Sequence, residues 1–144
     1  MLPPANGLFD AILYIDVTEH IEDDAAELRR AYARRAPGGA MLIVTPTHQW
    51  LFSPFDEAIG HYRCYSRATM RWVLPAGSQI KQLAYLDNAG ILASAASKFF
   101  LKQRYPALAQ IKFRDNNIMP VSRLTNRLTG FALGKSGPAA VQKS

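Results

Sequence analysis

The stretch from Phe9 to Val17, FDAILYIDV, constrains the fold most, because Ala11, Ile12, Leu13, Tyr14 and Ile15 follow one another without a polar break. Successive side chains of an extended chain point to opposite faces, so an unbroken apolar run is apolar on both. That pattern predicts a strand buried on two sides, as inside a parallel sheet covered by helices. A second run, Ala40 to Thr45 (AMLIVT), ends at Pro46. Between the two, Asp24 stands three residues before Glu27 as a capping box, and Ile21, Ala25, Leu28 and Tyr32 recur at helical spacing. The acids lie at the start of this helix and Arg29, Arg30, Arg34 and Arg35 near its end, the order that suits its dipole. Pro37, Gly38 and Gly39 stop it. Strand, helix and strand over residues 9–45 predict a right-handed βαβ unit.

From Pro46 the chain runs through THQWLFSPFDEAIGHYRCYS, a segment rich in aromatics, Pro and Gly with poor periodicity. A loop of that length (46–66) is itself a sign of function. Ser66 then caps a short helix through Met70, Val73 and Leu74, and Gln79 to Leu86 is a weaker strand. Asp87 or Asn88 caps a helix running from Ala89 to Leu101, with Ile91, Leu92, Ala95 and Phe99 as its stripe and Pro106 closing it. Pro120 opens a further helix through Val121, Leu124 and Leu128 that stops at Gly130. The small, polar tail from Gly134 is expected to fray at its end.

With 144 residues, 49% hydrophobic and 19% charged, the composition fits one globular domain with a real core and excludes disorder and collagen-like repeats. The single Cys64 supports neither a disulfide framework nor a CxxC motif, so a reducing, cytoplasmic setting is the expectation. No cation precedes Arg29 and Asp10 and Asp16 interrupt the early apolar stretch, which fits no signal or transit peptide. The longest apolar-rich run, Ala89 to Leu101, contains Lys98 and is short of the ~20 residues a spanning helix needs. Residues 1–60 carry four Lys and Arg against nine Asp and Glu, whereas residues 61–144 carry thirteen against two, so charges of −5 and +11 divide the chain. Such asymmetry points to an anionic partner or to an arbitrary cut through a larger domain. No helix-turn-helix, zinc-finger or RNA-binding aromatic motif is present, so nucleic acid is not expected.

No GxGxxG occurs anywhere, although the crevice beyond the carboxyl ends of such strands commonly takes a nucleotide through a glycine-rich first turn. The chain opens instead on a strand that demands neighbours on both sides. Left at an edge, that strand predicts self-association or pairing with another chain.

The segments FDAILYIDVTEHIEDD, RRAPGGAMLIVTPTHQWLFSPFDEAIGHYRCYS and LDNAGILAS together resemble the class I S-adenosylmethionine-dependent methyltransferases, from about Phe9 to Lys135. The PGG-strand-Pro unit is shared widely in that family. WLFSPFDEAIGHYRCYS is more specific, being similar to a subgroup in which a GHYR-containing segment follows the fifth strand. The resemblance implies an α/β fold, a Rossmann-like sheet of order 3-2-1-4-5-7-6 flanked by helices, with Phe9 to Val17 as strand four and Ala40 to Thr45 as strand five. It implies that residues 1–144 form a single incomplete domain beginning at strand four, with 46–66 as the acceptor-facing loop and 67–135 as the carboxy-terminal helices and strands. The final GKSGPAAVQKS fits poorly to an apolar last strand.

By the same resemblance the cofactor is S-adenosylmethionine and the acceptor a small molecule or a lipid- or sugar-linked group. Asp16, Val17, Glu19 and His20 would face the cofactor's methionine end, although Glu19 also suits a solvated first-turn acid. Methyl transfer from a sulfonium depends mainly on alignment and exclusion of water, and needs a base only for a protonated or weakly acidic acceptor. His61 and His20 are the candidates for that base. His61, Tyr62, Arg63 and Tyr65 would line an acceptor pocket, with Arg63 and Arg67 suited to an anion. Asp16, Glu19, His20, His48 and His61 show no HExxH or other ligand spacing, so no metal is expected. Phe99 and Phe100, flanked by Lys98, Lys102 and Arg104, suit either a core stripe or a lip at a membrane surface. A different class of function is a non-catalytic module that uses its basic half or its open edge strand to engage a partner.

Overall fold

The computed structural model describes residues 7–96 and 108–142. Four strands form one sheet: β1 (Phe9–Ile15), β2 (Arg35–Pro46), β3 (Gln79–Leu83) and β4 (Ser136–Gln142), in the order β1-β2-β4-β3. β1 and β2 are parallel and joined by α1 (Asp24–Ala33), while β4 runs antiparallel to both β2 and β3. Counted as strands four to seven, this is the 4-5-7-6 order that the resemblance implies. The remaining elements are α2 (Pro54–Ala58), α3 (Arg67–Val73), α4 (Asn88–Ala96), α5 (Leu108–Phe113) and α6 (Met119–Leu128), the last two joined by a π turn, Arg114–Ile118.

The core lies between one face of the sheet and the helices α1 and α3. Ile12 and Tyr14 of β1, Met41 and Ile43 of β2, and Ala139 and Val141 of β4 meet Leu28, Ala31, Met70, Leu74 and Tyr65 there. The expectation that β1 is buried on both faces is only half met. Leu13 and Ile15, on the other face, keep 62% and 54% of their surface, and among the described residues β1 pairs on one edge only.

The tail from Gly134 forms a strand along its described length, and its last two residues, where fraying is expected, lie outside the described residues. Ser136–Gln142 is inserted between β2 and β3, with Gly137, Ala139 and Val141 buried at alternate positions. Small side chains suit this strand because it passes close to its neighbours: a Cβ at Gly137 would collide with the methyl of Thr47. The apolar last strand was therefore the wrong template for GPAAVQ, whose period-two burial depends on size rather than on hydrophobicity.

The cap of α1 also differs from expectation. Asp23, not Asp24, accepts the Ala26 N–H (3.0 Å), and both Asp24 and Glu27 are buried. Their carboxylates serve the core instead: the Tyr14 hydroxyl donates to Glu27 Oε1 (2.8 Å), and Arg30 pairs with the same carboxylate. Burial pushes the Glu27 carboxyl up, but Arg30 and Tyr14 together outweigh it and hold it below the usual range. Segment 46–66 is not wholly irregular, since it contains a 3₁₀ turn, Gln49–Leu51, and α2 with a reciprocal capping box of Ser53 and Asp56. Ser66 caps α3 as expected, its hydroxyl accepting from Thr69 N. β3 is shorter than Gln79 to Leu86, because Leu86 meets Ser136 only as an isolated bridge. α5 has no counterpart among the expected elements, and the part of the expected helix beyond Ala96, with Lys98, Phe99, Phe100, Lys102, Arg104 and Pro106, lies outside the described residues.

Candidate functional site

The parallel strands β1 and β2 end side by side, and the chain leaves β1 through Asp16, whose φ of 50° breaks the strand. A 3₁₀ turn, Thr18–His20, follows directly. The turn aims Glu19 inward and leaves Asp16, Val17 and His20 at the surface. The GHYR segment crosses above it, tied by the Tyr62 N–H, which donates to the Glu19 carbonyl (2.8 Å). Residues separated by forty positions in sequence thus share one small volume at the carboxyl edge of the sheet, where open α/β sheets place ligands.

Within that volume the His20 and His61 rings meet edge to face, centroids 4.5 Å apart. His61 Nε2 is 3.9 Å from Glu19 Oε1, and His61 Nδ1 is 3.3 Å from Asp56 Oδ1. His20 Nδ1 lies 3.2 Å from the Gly60 carbonyl. Burial, and then the neighbouring His20, hold the His61 imidazole below its ordinary value in spite of Asp56 and Asp16. It is therefore a neutral ring with a lone pair at neutral pH.

Glu19 is the least expected member. Its side chain is fully enclosed, neither carboxylate oxygen has a hydrogen-bond partner, and burial, with Asp16 adding to it, pushes its carboxyl up to about 7. A solvated first-turn acid is excluded by this burial. No spacing rule would have found the cluster, because His61 reaches Glu19 only through the crossing of two segments.

Of the residues expected to line an acceptor pocket, His61 and Tyr62 stand at this edge, Tyr62 half exposed. Arg63 is committed elsewhere, to Asp24 Oδ2 (2.9 Å) and the Glu22 carbonyl (2.8 Å). Tyr65 is buried in the core, and its hydroxyl lies 2.6 Å from Asp24 Oδ2 and 3.1 Å from the Thr18 carbonyl. That arrangement ties α3's leading segment to α1 and to the turn beneath the site. Tyr65→Phe is expected to cost about 2 kcal/mol, the worth of a buried hydrogen bond to a charged group, read as a lower urea midpoint at unchanged slope. Arg67 donates to the Phe131 carbonyl (2.6 Å) and covers the Tyr85 ring. His48 sits apart, stacked near Tyr85 at 4.9 Å. Among the described residues no helix is long and apolar enough to cross a membrane.

A family model described as a methyltransferase domain matches residues 1–104. No curated protein matches in sequence. Solved structures with the same fold include a SAM-dependent methyltransferase from Archaeoglobus fulgidus, 12% identical with a TM-score of 0.56, aligned over 94% of this chain and 60% of that one. The 4+2 cyclase SpnF aligns over 99% of this chain and 52% of its own, at 12% identity and a TM-score of 0.56. A Haemonchus contortus phosphoethanolamine N-methyltransferase 2, in complex with S-adenosyl-L-methionine, is 16% identical over 94% of this chain and 33% of that one, with a TM-score of 0.51. The chain thus spans between a third and three fifths of the length of these structures.

Proposed function

We propose, because this chain belongs to the methyltransferase-domain family, that it supplies the carboxy-terminal part of an enzyme that transfers a methyl group from S-adenosylmethionine to a small-molecule or lipid- or sugar-linked acceptor. The observation that carries the reading is the strand order β1-β2-β4-β3 with β1 unpaired on its outer edge among the described residues, the order of strands four to seven of such a sheet. Asp16 and Val17, exposed at the end of β1, then border the cofactor's methionine end together with His20. His61 and Tyr62 stand over them on the acceptor side. Bound S-adenosylmethionine supplies an activated methyl on a sulfonium. The work of these residues is to orient it, to hold the acceptor in line and to keep water out.

No glycine-rich strand turn is contained in the sequence, so the cradle for the rest of the cofactor has to come from a segment that pairs with β1. Calorimetric titration with S-adenosylhomocysteine tests this. The 144 residues alone are expected to show no micromolar affinity, and co-expression with the amino-terminal half of a family member is expected to create it. Micromolar binding by the chain alone would overturn the partial-site reading. Absence of binding in the complemented protein would overturn the methyltransferase reading.

A second reading, a module that pairs through β1 without catalysis, is favoured by the exposed apolar pair Leu13 and Ile15 beside that open edge. The titration separates the two, since a module of that kind gains no cofactor affinity from complementation.

A further inference from the structure

The geometry points to a divalent transition-metal site built from Glu19, His20 and His61, independent of whether the chain transfers methyl groups. One oxygen of Glu19 and one nitrogen from each imidazole lie within 4.8 Å of one another. This is a two-histidine, one-carboxylate donor set, which suits Zn²⁺, Co²⁺ or Fe²⁺ in preference to Mg²⁺ or Ca²⁺.

Two further features fit a metal. The first lies behind the ligands. His20 Nδ1 faces the Gly60 carbonyl at 3.2 Å and His61 Nδ1 faces Asp56 Oδ1 at 3.3 Å. An imidazole whose Nδ1 proton is held by a carbonyl, as that of His20 is by Gly60, keeps Nε2 as its lone-pair nitrogen, the outer-shell arrangement that metal-bound histidines use, whereas His61 Nδ1 lies within ion-pair reach of Asp56 without a hydrogen bond. In His61, Nε2 is the nitrogen that faces Glu19, at 3.9 Å. Asp56 is itself fixed, accepting from the Ser53 backbone N–H (2.8 Å) and from the Ser53 hydroxyl. The second feature is Glu19, whose two oxygens are enclosed and unpartnered. An enclosed carboxylate without a partner is costly, and a cation between it and the two imidazoles removes that cost.

Ligand bonds of about 2.1 Å in a tetrahedral site put donors roughly 3.4 Å apart, so His61 and Glu19, now 3.9 Å apart, close by about half an ångström. His20 is exposed and free to approach them. Three protein ligands leave a coordination position for water or for an oxygen of an acceptor. A nitrogen that binds metal cannot also accept a proton, so this assignment makes His20 and His61 ligands and not the general bases that sequence alone suggests.

The full chain, stripped with EDTA and dialysed, is titrated with Co²⁺ by visible absorption and with Zn²⁺ by calorimetry, without cofactor. One equivalent is expected to bind with micromolar or tighter affinity, giving d–d bands without a thiolate charge-transfer band. Glu19→Gln and His61→Ala are each expected to weaken binding at least tenfold, and His48→Ala to leave it unchanged. Far-UV circular dichroism of each variant establishes that it is folded, and the near-isosteric Glu19→Gln carries the test if His61→Ala does not fold. Failure of the native chain to bind either ion, or equal binding by folded Glu19→Gln, would overturn the site, as would a thiolate band, which would assign the ion to Cys64.

Discussion

In a chelating buffer, the stability difference between the native chain and Glu19→Gln is expected to change by about 3 kcal/mol between pH 4 and pH 8, at the expense of the native chain. The folded-state carboxyl of Glu19 is raised from 4.5 to about 7 by burial and by Asp16. Between those values the folded protein holds a proton that the unfolded chain has released, so stability falls as pH rises through the window. Below it both states are protonated and there is no penalty; above about 7 the loss is complete. A shift of that size corresponds to about 3 kcal/mol. His61 titrates in the opposite sense, since burial lowers its value. Urea unfolding at several pH values reads the result, and parallel pH profiles for the two proteins would mean that Glu19 finds a partner in solution. Restoring Zn²⁺ at pH 8 is expected to recover most of the loss in the native chain only, because binding to the folded state alone adds stability.

The second large effect is predicted at Gly134, where Gly134→Ala is expected to cost about 3 kcal/mol and to lower the thermal midpoint sharply. A Cβ there would enter the space of the Leu86 peptide, meeting its backbone O, C and N. Backbone cannot rotate aside as a side chain does. The neighbouring contacts allow little retreat: Thr47 donates its hydroxyl to the Gly134 carbonyl, the Thr47 N–H donates to the Lys135 carbonyl (2.7 Å), and Leu86 and Ser136 exchange backbone hydrogen bonds at 2.7 and 3.0 Å. Differential scanning calorimetry measures the loss, and a midpoint within a few degrees of the native value would show that the Leu86 segment can move.

These two residues mark where the sequence is readable and where it is not. β1, α1 and β2 are legible because the spacing of their apolar residues is a local signal, and Ser66 is legible as a cap because capping is local chemistry. β4 is not, because Gly137 and Ala139 are chosen for size against Thr47 and β2, and smallness resembles the composition of a loop. Asp24 and Glu27 mislead for a related reason. Acids at a helix start usually serve its dipole, whereas here Tyr65, Arg63 and Tyr14 reach them from distant segments. At the site, His20 and His61 are chemically conspicuous anywhere, but their meeting with Glu19 depends on the Gly60–Tyr62 segment crossing the turn, a long-range event without a local signature.

The position of β4 between β2 and β3 bears on how the chain is made. About ninety residues separate Pro46 from Ser136, so the strand that completes the pairing of β2 leaves the ribosome well after β2 itself. At 5–20 residues per second this delay is roughly 5 to 18 s, against microseconds for the collapse of a short chain. Through that interval nascent β1 and β2 present an apolar parallel pair whose partner has not been synthesised. Vectorial synthesis thus leaves the inner edge of Arg35–Pro46 without its antiparallel partner until the end of the described chain is made.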